Sequence, residues 1–331
     1  MLLINPSTLL FFSTLISGAA IAISSPSWFT SWIGLELNLL SFIPLIFSKQ
    51  NTFSSEAALK YFLVQAMGSA VLLIAAATLL IMTEASKVII VCALLLKMGA
   101  APLHFWLPPI MQGISWSRCI ILMTIQKIAP MAMITYTLSP STLLIISAAS
   151  MSSAVLGGLG GLNQTLLRKI MAYSSISHMG WLLAAISLNS TIWMNYLLIY
   201  SIISASLAIM LDQNQLFHIK QLMSLSYTQS NKIMVFLSLF SLGGLPPFLG
   251  FLPKLSVIKE LTNQTEILWV SMLTMSALIT LFFYTRISIT ALTLKSPKMM
   301  TLTHTQSQSL ALFSLINLTP ILYPLILFIQ F

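Results

Sequence analysis

KMGAAPLHFWLP, residues 97–108, sets a lysine, a Gly/Pro cluster able to break a helix, a histidine and two aromatic residues inside a long apolar run. About 145 residues later LGGLPPFLGFLPK, residues 242–254, repeats the plan: a Gly pair, prolines, aromatic residues and a second Leu-Pro. Hydropathy windows place the two breaks five helices apart, in the fourth and the ninth. Five is odd, so two copies of a five-helix unit would sit upside down relative to each other. Unwound backbone is tolerated at membrane depth only where it lines a polar cavity or is packed in protein, and inverted repeats with broken helices mark secondary transporters. The plainer alternative is a pair of ordinary proline kinks.

The rest of the chain agrees with a membrane setting. Of 331 residues, 57% are hydrophobic and 6% charged, with a mean hydropathy of +0.95, far from the roughly 25% charge of soluble domains. This predicts an all-α integral membrane protein of about 11 transmembrane helices with an antiporter-like fold. Approximate limits are 8–24, 27–47, 56–82, 87–108, 115–138, 141–161, 170–188, 191–211, 232–261, 265–293 and 307–330. The whole chain is read as one membrane domain: repeat one about 1–138, repeat two about 141–294, and an extra C-terminal helix at about 307–331. The N-terminal stretch shows no basic n-region, cleavage site or Arg-rich presequence, which fits insertion where the protein is made.

The net charge of +9 reflects loop asymmetry rather than nucleic-acid binding, because no basic run is interleaved with aromatics. With the N-terminus on one face, Lys49, Arg118, Arg168, Lys169, Lys220, Lys232, Lys295 and Lys298 fall on that same face, and chiefly Lys87 and Lys259 on the other. The positive-inside rule then sets the N-terminus inside and the C-terminus outside. Cys92 and Cys119 have no CxxC spacing, which argues against an iron-sulfur site, a zinc site or a disulfide. No Walker sequence, no GxGxxG after a strand and no flavin or haem ligand pair is present. Any redox chemistry would belong to another subunit.

A charge at membrane depth costs roughly 2.5–3.5 kcal/mol even on permissive scales, so those unable to snorkel need a reason. Glu36 lies about ten residues from either end of its helix, ~15 Å deep. Lys97 and Lys127 are central in their spans, and Lys254 follows Pro253 in the second break. Glu56, Lys60, Glu84, Lys87 and Arg286 lie near span ends and are read as snorkelling. A buried lysine serves a pump only if its proton affinity can be moved: burial and a nearby cation weaken it, a carboxylate strengthens it. One charge ~4 Å away contributes ~4 kcal/mol at an effective dielectric of 20, and moving a proton against 100 mV costs ~2.3 kcal/mol. The magnitudes match. A static Glu36–Lys97 ion pair is the competing account of those two residues, but it leaves Lys127 and Lys254 without midplane carboxylates.

His104 and His178 are candidate relays. For His104, hydrogen bonding to carbonyls freed by the break is the alternative. His178 falls in the helix that holds in repeat two the place of the Glu36 helix in repeat one. His218 and His304 read as loop residues, and GGLGG at 157–161 as a close helix contact.

Five stretches carry a resemblance: FTSWIGLELNLLSFIPL (29–45), SSEAALKYFLVQA (54–66), LLKMGAAPLHFWLP (95–108), GGLNQTLLRKIMAYSSISHMGW (160–181) and SLGGLPPFLGFLPK (241–254). Together, over about residues 1–290, they are similar to the mitochondrial NADH-ubiquinone oxidoreductase chain 2 family, antiporter-like membrane subunits of respiratory complex I. The resemblance implies a proton-translocating subunit of the mitochondrial inner membrane, partnered by other membrane-arm subunits, including neighbouring antiporter-like ones, and by lipids. It implies no cofactor and no metal in this chain, with NADH, FMN, iron-sulfur clusters and ubiquinone held by other subunits. The family's proton-path residues carry over by motif to Glu36, Lys97, Lys127 and Lys254. Its fuller members have about fourteen spans, and a shortened animal form lacks the leading helices. The charges of the two breaks differ, since Lys97 precedes its break and Lys254 follows its own. Two other readings stay open at this level: a free-standing cation/proton antiporter, and a structural membrane subunit without its own proton path.

Overall fold

The computed structural model describes residues 6–47, 51–79, 81–224, 229–246 and 248–293, with the side chains of 223–232 and 290–293 left undescribed. The expected C-terminal helix at 307–331, His304, Lys295 and Lys298 lie outside these residues. Among them the secondary structure is helical, apart from one isolated bridge between Leu166 and His218.

The helices, in chain order, are α1 (Pro6–Ser24), α2 (Trp28–Ile46), α3 (Thr52–Thr78), α4 (Thr83–Met98), α5 (Leu107–Gly113), α6 (Trp116–Met123), α7 (Ile125–Thr135), α8 (Pro140–Gly161), α9 (Leu167–Leu188), α10 (Ser190–Gln213), α11 (Ile219–Ser224), α12 (Gln229–Gly243), α13 (Phe251–Asn263) and α14 (Ile267–Thr293). Seven stretches among the described residues are long and apolar enough to cross a membrane: α1, α2, α3, α6 with α7, α8, α10 and the part of α14 from Ile267 to Ile289. Helices suit this environment because every backbone polar group is satisfied within the segment. The many serines and threonines do not spoil this. Ser41, Ser153, Ser175 and Ser238, for example, each donate to the carbonyl three residues back.

The chain divides into two compact units, Met1–Ser153 and Ala154 onward. In the first, α2 packs backbone to backbone on α1. A Cβ on Gly18 would stand 2.9 Å from Asn38 N, and one on Gly34 would stand 2.6 Å from Ala22 N. Such small residues let membrane helices approach closely, and here they fix the helix that carries Glu36 and Asn38. In the second unit the GGLGG run packs as expected of a helix contact: Gly157 lies against the Ser177 backbone, and a Cβ on Gly161 would meet the Phe283 ring.

Both expected breaks are present, and they are built alike. Helix α4 stops at Gly99, whose φ of 72° is left-handed. Gly99 N donates to Leu96 O and Ala100 N to Leu95 O. Helix α12 stops in front of Gly244, with φ 76°, where Gly244 N donates to Ser241 O and Leu245 N to Phe240 O. Each is a Schellman cap, which places glycine where any side chain would strain the backbone. A short turn follows, and the chain re-enters a helix at Leu107 and Phe251 respectively. The segment expected as a continuous helix over 115–138 is instead divided at Thr124, where φ is −115° and ψ is −78°.

Candidate proton path in the first unit and its counterpart in the second

In the first unit Lys97 occupies the last turn of α4 and is 7% exposed. A cation there meets the negative end of the helix dipole. The carbonyls freed by the break are taken up by named donors. Trp106 Nε1 donates to Leu96 O at 3.0 Å, and Gln65 Nε2 to Lys97 O at 3.0 Å. His104 lies within the break, where its ring has the backbone of Pro102 as a partner. It is buried and stacks on Phe105 with ring centroids 4.4 Å apart.

Lys127 sits on α7, one turn past the division at Thr124, and is 2% exposed. Pro130 follows three residues later. It supplies no N–H to the Gln126 carbonyl, so the helix is loosened on both sides of the lysine.

Lys97 and Lys127 line one cavity of about 20 Å3. Water needs roughly 10–15 Å3 and two to four polar partners. Asn38, Tyr61, Gln65 and Gln126 supply further polar walls. Gln126 is clamped: its Nε2 donates to Asn38 Oδ1 at 2.7 Å, and Tyr61 OH donates to its Oε1 at 3.3 Å. Glu36, half-buried on α2, is within Coulombic reach of Lys97. Among the described residues the two do not form an ion pair. Contacts between opposite charges there are the helical pairs Glu56–Lys60 and Glu84–Lys87.

In the second unit Lys254 lies in the first turn of α13, 6% exposed, and reaches back across the break. Its Nζ donates to Gly243 O at 2.7 Å and stands 5.8 Å from the centre of the Trp181 ring. The lysine thus caps the carbonyl end of α12, where a cation is favoured. Lys97 and Lys254 lie on opposite sides of their breaks in sequence, yet each belongs to the C-terminal end of the first half-helix. His178, one turn before Trp181 on α9, is buried, with Nδ1 2.9 Å from Tyr196 OH and its ring 4.8 Å from that of Tyr200.

A transmembrane family described as NADH:quinone oxidoreductase/Mrp antiporter matches residues 25–88 and 81–280. The NADH-ubiquinone oxidoreductase chain 2 of Anopheles gambiae is 46% identical over 289 residues, 84% of either chain. That of Locusta migratoria is 42% identical over 298 residues, 87% of this chain and 86% of its own. The chain belongs to the NADH-ubiquinone oxidoreductase chain 2 family. A chain of the respiratory complex I of Thermus thermophilus, solved with bound aureothin, shares the fold. Its TM-score is 0.86 at 21% identity, over 98% of this chain and 80% of that one.

Within this family member the sequence pointed to the charged groups, while the amides Asn38, Gln65 and Gln126 and the hydroxyl of Tyr61 went unnoticed. A signal existed for part of the set: Tyr61 and Gln65 stand four apart on one face of an otherwise apolar stretch of α3. Gln126→Leu keeps the volume but leaves Asn38 Oδ1 without its donor, at a cost of about 1–3 kcal/mol. We expect the intact complex carrying it to lose thermal stability, read from the melting of the assembled band on native gels. An unchanged melting curve would mean that the clamp contributes nothing.

Proposed function

We propose that the chain is the membrane-arm subunit through which the proton-translocating NADH:ubiquinone oxidoreductase conducts protons from the matrix to the intermembrane space, driven by electron transfer in other subunits. The observation that carries this reading is the sharing of one water-sized cavity, with amides and a hydroxyl in its wall, by Lys97 and Lys127. Glu36 sets the charge balance of Lys97, Lys127 accepts the proton across the cavity, and Lys254 receives it in the second repeat. His104 and His178 serve as relays beside this line. The matching caps at Gly99 and Gly244, 145 residues apart, support two inverted five-helix repeats over about 1–138 and 141–294. With about 11 spans, the N-terminus faces the matrix and the C-terminus the intermembrane space.

A structural role is separable from conduction by experiment. In sealed inner-membrane vesicles, Glu36→Gln and Lys97→Met should each lower NADH-driven proton uptake by about tenfold or more. The double variant should not recover it. If Glu36 and Lys97 only compensate each other's charge, removing both restores pumping, and that result would sink the proposed path. Ion exchange by the purified chain without partners would favour the free-standing antiporter instead.

A further inference from the structure

A second, larger pocket, about 670 Å3 and open to the surroundings, lies in the second unit beside the exposed side chains of Thr165, His218, Lys220 and Arg286, with Ile219 and Ile287 in its wall. This is within the size range of small-ligand sites. Its floor is built rather than loose. Leu167 N donates to Phe217 O at 2.9 Å and Ile219 N to Thr165 O at 3.1 Å, so two interhelical loops are laced together. The Arg168 guanidinium lies 4.5 Å over the Phe217 ring beside them. Arg286 is anchored by one donor, Nη1 to Leu162 O at 3.1 Å, which leaves the rest of its planar fork available.

The charge here is unbalanced. The chain has six acidic residues, and among the described residues none pairs with Lys220 or Arg286. Two cations, a histidine and a hydroxyl around a cavity match the oxygens of a phosphate group. The apolar surroundings select its source. Leu278 and Phe282 lie eight and four residues before Arg286 on α14, on the same helix face, and both are about 60% exposed. Eight residues span ~12 Å of helix, enough to lay part of an acyl chain along the apolar stripe while the headgroup reaches Arg286.

The geometry points to a binding site for the phosphate of an anionic phospholipid, held by Arg286 and Lys220 with Thr165 and His218 at its edge. Basic pockets between membrane helices hold such headgroups elsewhere. The site lies outside the proposed proton path.

The test uses the intact complex. Lys220→Gln with Arg286→Gln should remove about one tightly held anionic phospholipid per complex, counted by mass spectrometry of extracted lipid, with neutral lipids unchanged. Arg286→Lys should keep it. Equal anionic lipid in the double variant and the wild type would overturn the site, and displacement by inorganic phosphate would overturn the lipid as its occupant. Should the double variant fail to assemble, delipidated wild-type complex is reconstituted in phosphatidylcholine vesicles with or without phosphatidylglycerol. Backbone hydrogen exchange at 165–167 and 217–219 should slow about fivefold with the anionic lipid. No change there would equally overturn the site.

Discussion

Lys127→Met should abolish most NADH-driven proton uptake in sealed vesicles, by about tenfold or more, equivalent to at least ~1.4 kcal/mol of added barrier. Methionine keeps most of the length of the side chain and is also flexible, so assembly should persist. What it removes is the titratable group between the division at Thr124 and Pro130, on the wall of the cavity shared with Lys97. Lys127→Arg is the sharper arm. Guanidinium preserves the positive charge but does not release its proton in proteins. A role in fixing helix packing or balancing charge would be rescued by arginine, whereas a role in proton transfer would not. Wild-type stoichiometry with Lys127→Arg would remove this residue from the path.

The two helix breaks were legible in the sequence because their chemistry is local. Gly99 and Gly244 end a helix through their own conformational freedom, and the prolines beyond them cannot continue one. The division at Thr124 was not legible: Thr-Ile-Gln carries no glycine or proline, and Ile120 O still accepts from Thr124 N. The buried charged candidates stood out for a related reason. A lysine at membrane depth is costly wherever its partners are, so it announces itself without any knowledge of the fold. Asn38 and Gln126 did not announce themselves. An uncharged amide is cheap to hide if it finds a partner, and theirs are each other, 88 residues apart in sequence. The pairing of the loops at Leu166 and His218 was hidden in the same way, since neither stretch has the alternation of a strand.

Gly244→Ala should lower pumping severalfold in complexes that still assemble, because it displaces Lys254. At a φ of 76° alanine adds ~1–2 kcal/mol of backbone strain. Its methyl would stand 2.9 Å from Lys254 Cδ and 3.0 Å from Nζ. The far end of a lysine yields more readily than backbone, so the ammonium moves off the Gly243 carbonyl and leaves a buried charge less well satisfied. Gly99→Ala is the comparison with similar backbone strain: its φ is 72°, but its methyl would meet Leu107 Cδ1 and the Trp106 ring instead of a charge. The two variants should reduce assembly to a similar extent, while proton uptake per assembled complex falls further for Gly244→Ala. Equal pumping per assembled complex would show that the Lys254 contact with the end of α12 has no part in conduction, leaving the lysine a structural cap.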